Sequence, residues 1–138
     1  MSQEKDNVAI LKDAYRRWHE TRAASVDLWM DLMTDDIDFR SLAHGSQGME
    51  FTKDCCSKDQ VRDYFQGLTS DWEMIYYNAD EFVAQDNRVV MIGSCSWRHR
   101  KNGNVIDTPK VDIFRMRDGK ITAFFELYDT ASVIAAAT

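Results

Sequence analysis

The second half of the chain constrains the fold most, because turn signals divide it at regular intervals. Pairs of turn-forming residues stand at Asp86–Asn87, Asn102–Gly103 and Asp118–Gly119. Asn, Asp and Gly tolerate the positive φ that tight hairpin turns require. This half is therefore predicted to form four consecutive antiparallel strands, followed by a brief alanine-rich helix that begins at the cap residue Asp129.

Apolar residues in the first half recur at the three- and four-residue spacing of one helix face. The spacing predicts a helix over 8–21, a short helix after Ser25, and a third helix behind the capping box Ser57–Gln60. The alternation in Ile37–Arg40 predicts a short strand. Residues 41–56 have no period and are predicted to form a long loop, one that could serve as a lid. Helices followed by a sheet indicate the α+β class.

Composition excludes several classes of function. The chain has 138 residues, 44% of them hydrophobic, which suits one core. Its net charge of −6 disfavours nucleic acid, because phosphate binding needs clustered Lys and Arg. The polar start lacks the apolar stretch of a signal peptide, and no later run is long enough to span a membrane. We therefore expect a cytoplasmic protein without a nucleic-acid or membrane partner.

Cysteine and histidine usage gives no sign of a disulfide framework or a metal site. The three cysteines make an odd number, and the neighbours Cys55 and Cys56 are poorly placed to bond each other. The three histidines lie far apart in the sequence, and no Cys-x-x-Cys pair is present. No metal and no cofactor are predicted.

Hairpin register sorts the strand residues between the two faces of the predicted sheet. A two-residue turn at Asn102–Gly103 would pair Asp112 with Gly93, leaving open space beside the carboxylate. The face of Asp112 would then also carry Lys110, Phe114, Trp97 and His99. A two-residue turn at Asp86–Asn87 would add Tyr76, Asp80 and Phe82 to this face, and would place Ile75, Tyr77 and Val83 on the other.

The last hairpin permits two registers. A two-residue loop at Asp118–Gly119 pairs Asp112 with Phe125, whereas a three-residue loop with a bulge at Gly119 pairs it with Phe124. Only the second register puts Glu126 on the face of Asp112, together with Phe124 and Tyr128.

The segment Val111–Ile121, followed by Glu126–Asp129, resembles the closing hairpin of SnoaL-like and ketosteroid-isomerase-like proteins of the nuclear transport factor 2-like superfamily. The order of elements is similar along nearly the whole chain. The resemblance implies a single domain over 1–138 with a cone-shaped fold, in which three N-terminal helices pack on a curved antiparallel sheet. It directs Asp112, Phe114, Glu126 and Tyr128 toward a conical pocket, which favours the three-residue turn.

The same resemblance suggests roles for individual residues. Asp112 falls where ketosteroid isomerase carries the carboxylic acid of its oxyanion site. Glu126 falls near the last-strand acid of the SnoaL-like cyclases, and His99 is its expected partner. The helix-one tyrosine of the isomerase falls nearest Ala14, so Tyr15 is expected to point elsewhere.

These observations predict a cofactor-independent enzyme that performs acid-base chemistry, of isomerase, cyclase or hydrolase type, on a small apolar carbonyl or cyclic compound. The candidate catalytic residues are Asp112, Glu126 and His99. Aromatic walls suit planar apolar ligands, and the candidate substrate-binding residues are Trp18, Tyr64, Tyr76, Trp97, Phe114 and Tyr128.

The alternative is a non-catalytic ligand-binding or dimerisation module of the nuclear transport factor 2-like type. In that case Asp112 and Glu126 would belong to a buried ion pair with Lys110, which lies on the same predicted face. Apolar residues on the outer face of the sheet need a cover, so a homodimer is predicted under either hypothesis.

Overall fold

The computed structural model describes residues 2–138 as four α-helices, one 3₁₀ turn and five strands. In chain order they are α1 (Gln3–Glu20), α2 (Val26–Leu32), β1 (Met33–Ser41), the 3₁₀ turn (Glu50–Thr52), α3 (Lys58–Asp71), β2 (Trp72–Gln85), β3 (Arg88–His99), β4 (Val105–Arg117), β5 (Lys120–Tyr128) and α4 (Thr130–Ala137). Three helices precede the four-strand meander as predicted, and α4 is the predicted terminal helix. No helix in this part of the chain has the length and apolar character needed to cross a membrane.

The five strands form one sheet in the order β1-β5-β4-β3-β2. The three hairpins are antiparallel, but β1 pairs with β5 in parallel. The expectation of a wholly antiparallel sheet is therefore wrong at this edge. Strand β1 is also longer than the predicted Ile37–Arg40, because Asp35 and Asp36 continue the edge strand with exposed side chains. Charged residues are common on edge strands, where they discourage pairing with another chain.

Two of the three predicted capping residues cap their helices, and α1 begins at Gln3, five residues before the predicted start at residue 8. The Ser57 hydroxyl accepts a hydrogen bond from the Gln60 amide at 3.3 Å, and the Gln60 side chain accepts one from the Cys56 amide. The Asp129 carboxylate caps α4 by accepting from the Ser132 amide at 3.1 Å. Ser25 makes no such bond, and its hydroxyl is buried without a partner.

Buried apolar residues form one cluster between the helices and the concave face of the sheet. Helix α1 contributes Leu11, Ala14, Tyr15 and Trp18 to it. Phe114 of β4 is fully buried and stacks on Trp29 of α2, with ring planes within 9° of parallel. This contact packs α2 against the second half of β4.

The β3–β4 hairpin keeps the predicted faces but not the predicted pairs. Asp112 lies opposite Met91 rather than Gly93, because the loop is longer than two residues. The His99 amide donates to the Asn104 carbonyl at 2.8 Å and closes the wider loop. The register therefore moves by two residues, and a shift of two leaves every side chain on its face.

Two bulges in β2 do change the faces. Phe82 pairs with Met91 as predicted, but the register shifts between Ala79 and Glu81 and again between Met74 and Tyr76. Each single-residue shift turns the following side chains over. Tyr77 is consequently buried on the inner face. The prediction that placed Tyr77 outside is wrong.

The same bulges correct three further predictions. The Tyr76 hydroxyl donates to the outward-facing Asp107 at 3.0 Å, so Tyr76 does not line the pocket. Asp80 is exposed at the bulge. Gly93 does not border open space, because a side chain there would collide with the Asn78 carbonyl.

The last hairpin combines features of both predicted registers. Asp118 and Gly119 adopt positive φ of 51° and 77° in a two-residue turn, which pairs Arg117 with Lys120. A bulge within β5 then shifts the register. Asp112 lies directly opposite Glu126, which is neither predicted pairing but places both acids on one face.

Candidate functional site

The concave face of the sheet and the helices surround a cavity of about 100 Å³. All five strands, the helices α1 to α4 and the 3₁₀ turn contribute to its wall. The 41–56 loop takes part through Met49, Phe51 and Thr52. The wall is mostly aromatic and aliphatic, and its larger rings include Trp18, Trp29, Phe39, Tyr64, Trp97 and Phe124.

Three charged residues line this cavity, and they contact one another. The Lys110 ammonium lies 2.7 Å from Asp112 Oδ1 and 2.9 Å from Glu126 Oε1. The two acids face each other across the β4–β5 ladder, and Lys110 lies two residues before Asp112 on the same face. We refer to Lys110, Asp112 and Glu126 as the ionic cluster. All three side chains are less than a tenth exposed.

Three tyrosines from different elements complete the hydrogen bonding of the ionic cluster. Tyr15 of α1 donates to Asp112 Oδ2 at 2.5 Å, and Tyr77 of β2 donates to the same oxygen at 2.9 Å. Tyr64 of α3 donates to Glu126 Oε2 at 2.5 Å. Buried charges are tolerated when they are paired and hydrogen-bonded. The tyrosines and Lys110 meet that condition for both carboxylates.

Burial and mutual charge set the protonation of these groups. Burial raises the pKa of Asp112, although the Lys110 charge opposes this. Burial would lower the pKa of Lys110, but the charges of Asp112 and Glu126 outweigh it and hold that pKa well above its ordinary value. Burial also holds the pKa values of Tyr15, Tyr64 and Tyr77 well above normal. Lys110 is therefore a cation at neutral pH, and the tyrosines are neutral donors.

A second polar pair stands beside the ionic cluster. The hydroxyls of Ser41 and Tyr128 are 2.5 Å apart, and either can be the donor. Tyr128 lines the cavity, and burial raises its pKa. If Ser41 donates to Tyr128, the phenolic proton of Tyr128 is available to a bound molecule.

Most of the predicted site residues meet at this cavity. Asp112 and Glu126 lie on its wall, as do Trp18, Tyr64, Trp97 and Tyr128. Phe114 does not line it, because helix α2 covers this ring with Trp29. Tyr76 lies outside, on the opposite face of β2.

His99 is not the partner of Glu126. It is buried at the end of β3, with its ring edge-on to Trp72 at a centroid distance of 4.8 Å. Its Nδ1 atom and Trp72 Nε1 are both buried without a hydrogen-bond partner. The partners of Glu126 are Lys110 and Tyr64 instead.

Sequence reasoning missed two tyrosines of the site. Tyr15 was expected to point elsewhere, yet its hydroxyl reaches Asp112. The signal was available, because Tyr15 is four residues from Leu11 on the buried stripe of α1. Tyr77 was hidden by the bulges of β2, for which the sequence gives no comparable signal.

The described residues, 2–138, contain no group of three or more His, Cys, Asp or Glu side chains that could hold a metal ion. The acids of the site are already occupied by an ammonium and three phenols. The arrangement offers polar groups for hydrogen bonding and proton transfer at one wall of an apolar cavity.

Solved structures with the same fold extend over almost the whole chain. An NTF2-like protein of unknown function from Burkholderia pseudomallei superposes with a TM-score of 0.85 at 20% identity, covering 100% of this chain and 99% of that one. TerC, co-crystallised with polyporic acid, gives 0.80 at 18% identity and covers 96% and 98%. A protein with a ketosteroid isomerase-like fold from Catenulispora acidiphila, in complex with trimethylamine, gives 0.74 at 12% identity and covers 93% and 91%.

At these identities the structural matches establish the nuclear transport factor 2-like fold and not an activity. A search of curated proteins found no significant match. The sequence profile of the SnoaL-like domain, however, matches residues 11–124, which include the ionic cluster residues Lys110 and Asp112 and end two residues before Glu126. The chain therefore belongs to the SnoaL-like domain family.

Proposed function

We propose that this chain binds a small, largely apolar ring compound in its cavity and transfers a proton on it without a cofactor. The observation that carries the proposal is the ionic cluster, which places two carboxylates on the wall of an otherwise apolar cavity. Two solved structures of the same fold were obtained with small molecules: TerC was co-crystallised with polyporic acid, and the Catenulispora acidiphila protein is in complex with trimethylamine. Small-molecule sites are usually apolar cavities with a few polar groups in the wall.

Glu126 is the better candidate for the proton-accepting group. A carboxylate offers about four lone-pair sites. Asp112 accepts three hydrogen bonds, from Lys110, Tyr15 and Tyr77, whereas Glu126 accepts one from Tyr64 and forms an ion pair with Lys110. Glu126 therefore keeps more free capacity toward the cavity. Asp112 acts as a positioning residue that holds Lys110.

Tyr128 supplies the complementary donor. When Ser41 donates to Tyr128, the phenolic proton can bond an oxygen of the ligand while Glu126 accepts a proton from a neighbouring atom. The raised pKa of Tyr128 keeps the phenol protonated at neutral pH. Such paired donor and acceptor groups are the basis of general acid-base catalysis, which contributes typically about 10²- to 10⁴-fold.

A second candidate is binding without turnover. The pairing of both acids with Lys110 favours it, because an ionic cluster with satisfied hydrogen bonds can be structural. In that case the cavity would serve carriage, and Glu126 would only orient the ligand.

We also propose that the outer face of the sheet is covered by a second copy of the chain. This face carries apolar residues paired across strands β3, β4 and β5, namely Val90, Ile92, Val111, Ile113, Phe125 and Leu127. Ile92 is 38% exposed, and the others are partly so. A cytoplasmic location remains a prediction from the sequence.

The test of catalysis is deuterium exchange at the acidic carbon of 2-tetralone, a bicyclic ketone, followed by proton NMR in D₂O. The wild-type protein should accelerate exchange above the buffer rate. Glu126→Gln should reduce the acceleration by about 10²-fold or more, because the amide cannot accept the proton. Glu81→Gln is the matched control, since Glu81 is exposed on β2.

The result separates the two candidates. Wild-type binding of 2-tetralone, seen by tryptophan fluorescence, without faster exchange would favour carriage over catalysis. Equal exchange in the wild type and Glu126→Gln would remove Glu126 from the mechanism. Thermal unfolding of each variant by circular dichroism shows whether the fold is retained.

A further inference from the structure

The hydrogen-bond donors of the ionic cluster are fully used within the protein. An ammonium group has three N–H donors. Lys110 donates to Asp112 and Tyr77 at 2.7 and 3.0 Å, and its ammonium forms an ion pair with Glu126 at 2.9 Å. The three surrounding tyrosines also donate their only protons to the two carboxylates. A bound molecule would find no free proton within the ionic cluster without breaking one of these bonds, and Tyr128 is a donor outside the cluster.

The acceptors of the same cluster are not fully used. Two carboxylates provide roughly eight lone-pair sites. Asp112 accepts three hydrogen bonds and Glu126 one, and the ion pair with Lys110 occupies the other oxygen of Glu126, so five sites are used. About three sites therefore remain. The ionic cluster is complementary to a group that donates hydrogen bonds.

The net charge of the cavity wall also favours a ligand that donates hydrogen bonds, and in particular a cation. One lysine and two acids are its charged residues, which gives a net charge of −1 when all three are ionised. A ligand anion would be buried without a free cationic partner, and an unpaired buried charge is strongly unfavourable. A ligand cation would instead compensate the excess negative charge.

The aromatic walls add to the preference for a cation. The faces of Trp, Tyr and Phe rings attract positive charge within about 6 Å. The Lys110 ammonium already uses two of them, lying 5.5 Å from the Tyr77 centroid and 6.0 Å from that of Phe124. Trp18, Trp29 and Trp97 present further aromatic surface to the cavity.

We infer that the polar group of the ligand is a protonated amine on an apolar ring body, directed at the carboxylates of Asp112 and Glu126. The inference rests on the cavity named in the proposed function as the ligand site, but not on proton transfer. It excludes carboxylate-bearing ligands as the preferred class.

Three water-soluble probes with one phenyl ring test the inference: benzylammonium, benzyl alcohol and benzoate. Binding to the full chain is measured by calorimetry or ligand-observed NMR at neutral pH. Benzylammonium should bind about tenfold or more tightly than benzyl alcohol, because one close charge interaction in a partly desolvated site contributes about that much to affinity. Benzoate should bind most weakly. Benzoate equal to or tighter than benzylammonium, or no binding of any probe, would overturn the inference.

Variants that remove one carboxylate charge test whether the preference for benzylammonium arises from Asp112 and Glu126. Asp112→Asn and Glu126→Gln each remove one negative charge with little change of shape, so each should reduce the ratio of benzylammonium to benzyl alcohol affinity about tenfold. Asp107→Asn is the matched control, because Asp107 lies on the outer face of the same strand. An unchanged ratio in both cavity variants would overturn the inference, and two variants guard against one that fails to fold.

The outcome is separable from that of the proposed catalysis. Loss of the amine preference with intact 2-tetralone exchange would overturn only the inference about ligand charge. A clear amine preference without exchange would overturn only proton transfer.

Discussion

The two faces of the sheet reverse the usual distribution of polarity. The inner face of β4 buries Lys110 and Asp112, whereas the outer face of the same strand leaves Val111 and Ile113 partly exposed. Soluble proteins ordinarily bury apolar side chains and expose charges. Each of these departures fits one of the two proposed partners, a bound ligand or a second copy of the chain. The inner charges suit a polar ligand group, and the outer apolar residues suit another protein surface.

The largest expected effect comes from breaking the ionic cluster on the inner face. Lys110→Met leaves two buried carboxylates without their cation, and removing one partner of a buried pair typically destabilises by about 3–5 kcal/mol. Urea unfolding measures the change. Arg98→Met, which removes an exposed ion pair with Glu73 on the outer side, should lower the free energy of unfolding by about 1 kcal/mol or less. Similar losses in both variants would contradict the contrast between the faces.

A matched pair of tyrosines gives the next effect. Tyr15→Phe removes a buried donor from Asp112 and should destabilise by about 1–3 kcal/mol. Tyr76→Phe removes an exposed hydrogen bond to Asp107 and should change the free energy of unfolding by about 0.5 kcal/mol or less. Equal losses would show that the buried hydroxyl is no more important than the exposed one.

The raised pKa of Asp112 predicts a pH dependence of stability. Because the folded-state pKa lies above the unfolded value, the folded state binds the proton more tightly. This contribution is fully present below the unfolded pKa and is lost as the pH rises through the folded pKa. Asp112→Asn should therefore abolish a decline that the wild type shows over this acidic range. Urea unfolding at a series of pH values gives one stability curve for the wild type and one for Asp112→Asn. The difference between the two curves separates the contribution of Asp112 from that of the other acids.

The smallest effect on folding is expected on the outer face. Ile92→Lys should change the free energy of unfolding of a monomer by only about 0.5 kcal/mol, because surface substitutions usually have small effects. It should nevertheless shift the sedimentation coefficient from dimer to monomer if a second copy covers this face. A monomeric wild-type protein would contradict the proposed dimer.

Sequence patterns located the helices and the four-strand meander, and assigned most inner faces correctly. Asp112 was placed on the inner face by the strand pattern and Glu126 by the family resemblance, although the observed register of each hairpin differs from the predicted one. The β3–β4 register differed by two residues, and the pairing of Asp112 differed by two from the favoured alternative, so the alternation of faces was preserved.

The failures have more than one physical origin, and single-residue shifts account for those in β2. The bulges of β2 exchange Tyr76 and Tyr77, and a bulge leaves no periodic signal in the sequence. The extension of β1 was missed because the consecutive acids Asp35 and Asp36 interrupt the alternation of apolar and charged residues that predicts a strand. The pairing of β1 with β5 depends on long-range packing, which local patterns do not contain.

Gly93 shows that a position without a side chain can determine the chemistry of a distant one. The Asn78 carbonyl occupies the space that a Cβ atom would need, so any other residue at this position would push β2 away from β3. That displacement would carry the Tyr77 hydroxyl off Asp112 and Lys110 while every polar group of the cavity stayed chemically intact. A mutational scan restricted to polar residues would overlook Gly93, although its replacement should reproduce the loss of a site tyrosine.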